Sequence, residues 1–145
     1  MSSYNLNYFS LIIWNPALYF KNDIIREIPN IQDIKEIEIN KGQLHNFIFE
    51  VYKLDTRCSH NIVLPPKIAR LKEHGDNHLL IKFEISNPII RNGVCDKAVT
   101  LKEIIRAKYR EKINNYIKDI IVHVADNYEQ SRHIWGLGGI TNGHT

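Results

Sequence analysis

The run Asp119-Ile120-Ile121-Val122-His123-Val124-Ala125 constrains the fold of this chain more than any other stretch. Its β-branched, apolar residues, bounded by a charge, predict a buried strand. Asp126-Asn127 follows with side-chain oxygens suited to capping a helix, and Glu129 falls in that helix's first turn. The helix is expected to run through Trp135 to about Leu137. There Gly136, Gly138 and Gly139 end it and leave a flexible tail from about residue 138. A histidine at the strand's end, just ahead of a helix N-terminus, sits where backbone N–H groups favour an anion. His123 is therefore a candidate for handling phosphate. The competing reading is a buried histidine satisfied by a carbonyl.

Ahead of this stretch, Tyr8-Phe9-Ser10-Leu11-Ile12-Ile13-Trp14 is rich in strand formers and predicts a first, central strand. Pro16 stops it, because proline has no N–H for the ladder. Leu18, Ile24, Ile25 and Ile28 are spaced for a short amphipathic helix, broken at Pro29-Asn30. From Asp33 to Ile39 the pattern alternates, with Ile37 and Ile39 on one side and Glu36 and Glu38 on the other, as in a half-buried strand. After Lys41-Gly42-Gln43, the positions Leu44, Phe47, Ile48, Val51, Tyr52 and Leu54 carry the strongest helical period up to that point.

Across 55–76 the signal weakens: Pro65-Pro66 reads as a turn and Lys67 to Glu73 as a short helix. Leu79 to Ile85 predicts the third strand, ending at Ser86-Asn87-Pro88, and a long loop through residue 99 holds Arg91-Asn92-Gly93. Thr100 with Glu103 has the form of a capping box and starts a helix whose apolar positions include Leu101, Ile104 and Ile105. The resulting order, β-α-β-α-β-α-β-α, predicts an α+β fold of the ferredoxin-like, split βαβ kind. Its sheet would be antiparallel and four-stranded, with helices packed on it. A small doubly wound parallel sheet is the alternative. The long loop after the third strand, and the lack of a glycine-rich phosphate turn after the first, count against it.

At 145 residues the chain is expected to form one domain with a real core, and 43% hydrophobic with 24% charged residues is ordinary for a folded soluble protein. No apolar run reaches bilayer-spanning length, and Met1-Ser2-Ser3-Tyr4-Asn5 lacks the features of a secretory signal. Cys58 and Cys95, far apart, fit reduced thiols in a cytoplasm. A formal charge of +3, with most basic residues interleaved with acids, does not argue for nucleic acid.

Two stretches echo known signatures. Glu103-Ile104-Ile105-Arg106 precedes Ile120-Ile121-Val122-His123-Val124-Ala125-Asp126, with Glu129 beyond, and Ile12-Ile13-Trp14-Asn15-Pro16-Ala17 ends the first strand. With the element order, these resemble nucleoside diphosphate kinase. That family's late signature is a threonine-isoleucine-arginine run, then asparagine-isoleucine-isoleucine-histidine-glycine-serine-aspartate with a glutamate beyond. Its early signature is a strand ending in lysine-proline-aspartate-alanine. The resemblance implies a ferredoxin-like core, His123 as phosphate carrier, Arg106 on the phosphates, a nucleotide such as ATP with Mg²⁺, and a homo-oligomer. The departures are specific. The family's lysine before the proline falls on Asn15 or Trp14, its serine on Ala125, its glycine on Val124 and its asparagine on Ile120. Its orienting glutamate in the last helix falls on Ile134 or His133. Each lost charge-stabilising donor costs on the order of 10²-fold in rate, so an efficient general-purpose kinase is not expected.

The chemistry expected of His123 is attack of its uncharged imidazole on a terminal phosphate, giving a phosphohistidine that passes the group onward. Asp126 and Glu129 are candidates for orienting the ring, Asp126 equally for a helix cap. Arg106, Lys108 and Arg110 are candidate phosphate ligands through charge-assisted hydrogen bonds, with a solvated helix face the simpler account of Lys108 and Arg110. Asn15 stands where the resemblance expects a phosphate contact. His45 is expected on the surface, and Trp14 in the core rather than stacked on a base. Cys58, His60, His74 and His78 match no zinc spacing, and no metal site is expected. The expected partner is a nucleotide or a phosphorylated small molecule. The rival class is a non-catalytic nucleotide-binding or protein-interaction module built on the same fold.

Overall fold

Phe9–Ile13 forms β1 at the middle of the main sheet, and each of its residues is buried. A strand whose two sets of alternating side chains are both hidden must be covered on both faces, which is what its continuous apolar run requires. The structure, a computed structural model, describes residues 6–56, 58–113 and 120–141. Its main sheet joins β1 with β2 (Ile31–Glu38), β3 (Asn77–Phe83) and β6 (Val122–Val124) in the order β2-β3-β1-β6. Every neighbouring pair is antiparallel. This is the α+β, ferredoxin-like arrangement that the element order predicts. The charged strand boundary expected at Asp119 lies outside the described residues.

The helices are α1 (Lys21–Glu27), α2 (Lys41–Val51), α3 (His60–Leu71), α4 (Asp96–Tyr109) and α5 (Tyr128–Thr141). The predicted amphipathic segment after β1 divides: a 3-10 turn over Asn15–Phe20 opens at Pro16, and α1 follows with Ile24 buried. α2 buries Leu44, Phe47, Ile48 and Val51, and the Asn40 side chain caps it by accepting from the Gln43 N–H at 3.0 Å. Ile37 in β2 and Ile39 just beyond it are buried while Glu36 and Glu38 are exposed, as the alternation predicts.

Four local expectations are corrected. Pro65 and Pro66 do not make a turn; they lie inside α3. Both are exposed, as are Asn61 and Ile62, whose carbonyls lose the helical donors that proline lacks. Water can satisfy those carbonyls on the outer face, so the buried stripe Leu64, Ile68 and Leu71 is undisturbed. The long loop after β3 contains a two-stranded ladder of β4 (Ile90–Arg91) and β5 (Val94–Cys95). Its turn residues Asn92 (φ 53°) and Gly93 (φ 77°) both take positive φ, the requirement of a tight hairpin that Asn-Gly meets best. α4 begins at Asp96, not Thr100, whose hydroxyl donates back to the Asp96 carbonyl at 3.1 Å.

The last correction concerns the C-terminal glycines, which do not end α5: the helix continues through them to Thr141. A Cβ on Gly138 would lie 2.5 Å from Leu80 Cδ2, so this glycine lets the helix approach the sheet closely. Its neighbours Gly136 and Gly139 face open space. At its other end, α5 is tied to β1 by buried bonds: the Ser10 N–H donates to Ser131 Oγ at 3.1 Å, and Ser10 Oγ donates to the Ser131 carbonyl at 2.8 Å.

Candidate active site

His123 lies in the middle of β6 opposite Ile12, and Ile12 stands opposite Leu80, which in turn faces Lys35. Opposed residues of antiparallel strands share a face, so these four side chains form one row across the sheet. Leu80 and Lys35 meet α5 at Gly138, which identifies the face. His123 therefore points beneath the helical layer rather than to open solvent, and it is 5% exposed. The ring of Tyr52, just past the end of α2, stands against it with centroids 4.6 Å apart. Its Nε2 is buried without a hydrogen-bond partner.

The charges that shift the pKa of the imidazole are cationic. Burial first, then Lys67, Arg106 and Lys102, hold its pKa well below the ordinary value, so the ring is uncharged near neutral pH. Arg106 and Lys102 lie four positions apart on α4, hence on one side of that helix. Arg106 reaches the strand itself, donating to the Val122 carbonyl through Nη2 at 3.0 Å and Nε at 3.3 Å. Lys67 comes from α3 and is 1% exposed. Its Nζ lies 5.0 Å from the centroid of the Trp14 ring and 5.3 Å from that of Tyr52. Trp14 is fully buried, with Nε1 lacking a hydrogen-bond partner.

Asn15 does other work. Its N–H donates to His78 Nδ1 at 2.9 Å, its side-chain amide donates to the Asn77 carbonyl at 2.9 Å, and its Oδ1 accepts from the Gly75 N–H at 2.8 Å. It therefore fastens the end of β1 to the α3–β3 turn. Asn127, not Asp126, caps α5, accepting from the Gln130 N–H at 2.8 Å; Gln130 Oε1 accepts the Asp126 N–H at 3.0 Å. Asp126 is buried and Glu129 is exposed, and neither is among the charges that bear on the His123 ring. Lys108 pairs with Glu27 on the surface, and Arg110 is exposed in the turn after α4. Of the basic residues proposed on α4, the structure brings only Arg106 to the histidine.

His45 is exposed and stacks on Phe49, as a surface residue would. Trp14 belongs to the core, packing edge-on against Phe47 and His78. His60 Nε2 lies 3.0 Å from the Asp55 carbonyl oxygen. Among the described residues no group of three or more His, Cys, Asp or Glu is placed to hold a metal ion. No helix among them is long and apolar enough to cross a membrane. An open groove of about 370 Å³, lined in part by Glu27, Ile85, Lys97, Leu101 and Ile104, does not include His123.

No protein-family model matches the chain, and no curated protein matches it. The site must therefore be judged on its own chemistry. The site joins a buried, uncharged imidazole whose Nε2 has no hydrogen-bond partner to cationic side chains, Lys67 from α3 and Lys102 and Arg106 from α4, whose charge favours an anion. Sequence reasoning missed Lys67, Lys102 and Tyr52. Lys67 occupies the apolar stripe between Leu64 and Leu71, a signal visible only once α3 is known to pass through its prolines.

Proposed function

We propose that this protein is a divergent phosphotransferase, related in plan to nucleoside diphosphate kinase, in which His123 carries the phosphoryl group. The observation that carries the proposal is the state of the ring: uncharged, with Nε2 unpartnered and the charges on it all cationic. In the tautomer with its proton on Nδ1, the Nε2 lone pair attacks phosphorus. The bond from phosphorus to the leaving oxygen breaks, and that oxygen departs with the electron pair. In the second half-reaction an acceptor oxygen attacks the same phosphorus and restores the imidazole. Lys67, Arg106 and Lys102 supply the charge that transfer of a phosphoryl group requires. A nucleotide such as ATP is the donor class, with Mg²⁺ arriving on its phosphates rather than in an all-protein cage. A homo-oligomer belongs to the same proposal, and light scattering of the purified chain tests it.

Incubation with γ-labelled ATP and other labelled nucleoside triphosphates provides the test. Label that is acid-labile, alkali-stable and absent from His123→Ala is expected. Absence of label from the wild type with every nucleotide, or retention of label in His123→Ala, refutes the proposal. One observation favours a second reading, a non-catalytic module that binds a nucleotide or other phosphate ester: His123 is only 5% exposed. That reading expects a rise in melting temperature with ligand and no turnover.

A further inference from the structure

The sheet face turned away from His123 carries a recess of its own. Glu36 in β2 stands opposite Leu79 in β3, and Leu79 stands opposite Ile13 in β1. Each is one position along from a member of the His123 row, so this row lies on the other face of the sheet. There a recess of about 210 Å³ is lined by Leu18, Lys21, Glu36, Asn77, His78 and Leu79. Leu18 comes from the 3-10 turn after β1, Lys21 opens α1, and the rest belong to β2 and β3. Three segments far apart in sequence thus build one small concavity.

Its lining divides by chemistry. Leu79 is buried and Leu18 half-buried, which makes one side apolar. Lys21 and Glu36 carry opposite charges, and both are exposed. They do not pair with each other, and among the described residues no ion pair or hydrogen bond engages either side chain. Elsewhere the surface does join its charges: Lys41 pairs with Asp76, and Lys108 with Glu27. His78 is already committed through Nδ1 to the Asn15 N–H, and the Asn77 carbonyl to the Asn15 side chain, both at 2.9 Å. These bonds fix one end of the recess and leave the Asn77 side-chain amide, which can both donate and accept.

We infer that this recess binds a small aliphatic α-amino acid as its zwitterion. Lys21 takes the carboxylate, Glu36 takes the ammonium, and the ligand's side chain lies against Leu18 and Leu79. Two unpaired charges of opposite sign in one recess match a ligand that carries both. Volume sets the size class: at about 30 Å³ per water the recess holds about seven waters, room for a small amino acid and not for a nucleotide. Lys21 and Glu36 keep contact with water, so each pairing adds little and the affinity is in the millimolar range. The inference is independent of phosphotransfer, which belongs to the opposite face.

The test follows backbone amide NMR shifts of the isotope-labelled full chain, titrated at constant pH and ionic strength. The probes are valine, isovalerate (valine without its ammonium) and isobutylamine (valine without its carboxylate). Saturable shifts at Leu18, Lys21, Glu36 and Leu79 are expected with valine, and binding of either singly charged analogue should be weaker by about 5-fold, the worth of one net hydrogen bond. Glu36→Gln should bind valine no better than isovalerate, and Lys21→Met should bind valine no better than isobutylamine. A merely structural role for either residue would not erase the preference for one charged end and spare the other. Thermal melting verifies that both variants are folded. No saturable shift at these amides, equal binding of valine and its analogues by the parent, or folded variants that keep the full preference for valine overturns the inference.

Discussion

His78 should make the protein acid-sensitive, by an amount that can be worked out. It is 2% exposed, and burial pushes its pKa down to about 4 against an ordinary value of 6.5, with Lys41 adding to the effect and Asp76 opposing it. Its Nδ1 accepts the Asn15 N–H at 2.9 Å, a bond that only an unprotonated nitrogen can make. A folded-state pKa below the unfolded one means that the unfolded chain binds the proton first. The contribution is therefore intact above about pH 6.5, is lost as pH falls, and is gone once pH reaches about 4. At ~1.4 kcal/mol per pH unit the loss approaches about 3 kcal/mol. His78→Asn keeps an acceptor for the Asn15 N–H but cannot titrate. Urea unfolding at pH 7 and pH 4 should show the wild type losing about 3 kcal/mol more than His78→Asn over that interval. His123, also held uncharged by burial, adds an acid loss of the same sign to both proteins and cancels in the difference. Equal losses in the two proteins, or an NMR titration placing His78 near its ordinary pKa, refute the reasoning.

Two further outcomes concern how α5 is held. Gly138→Ala should be less stable than Gly136→Ala by about 1–3 kcal/mol in chemical denaturation: both gain helix propensity, but only the first drives a methyl into Leu80, itself 1% exposed. Indistinguishable stabilities would mean that the helix can back away from the sheet. Ser131→Ala removes the acceptor of the Ser10 N–H in an apolar interior and should cost about 1–3 kcal/mol, the penalty for a stranded buried donor. A loss below about 0.5 kcal/mol would show that the strand finds another partner for that group.

The sheet was legible because its strands obey period rules that tolerate little else. β1 reads as a continuous apolar run and is buried on both faces; β2 alternates and is half exposed. What misled was punctuation. Pro65-Pro66 normally marks a break, yet both residues face solvent, where water replaces the donors they lack. Gly136, Gly138 and Gly139 resemble a helix stop, but Gly138 is there for closeness to Leu80. The Asn92-Gly93 hairpin was readable in principle, since that pair is the strongest short turn signal, but strands as short as β4 and β5 carry no period. His123 and Arg106, which the structure brings together, could be singled out in the sequence because both sit in motif-like stretches. Lys67 could not, because its significance depends on which face of α3 is buried. Asp126 and Glu129 were named by their nearness in sequence to His123, which says little about which charges face a ring held beneath a helical layer.

Closure of the site bears on both functional readings. If the open form is a minor population, the apparent affinity for any phosphate falls by that fraction, whether the protein then transfers the group or only holds it. An opening cost of about 3 kcal/mol would weaken binding roughly 150-fold, enough to hide a competent site from a screen at low ligand concentration. Affinity alone therefore cannot separate a phosphotransferase from a binding module. Covalent capture can, because in a phosphotransferase a phosphoryl group on Nε2 would accumulate during rare openings and stay under the closed layer, whereas a binding module would never take the label.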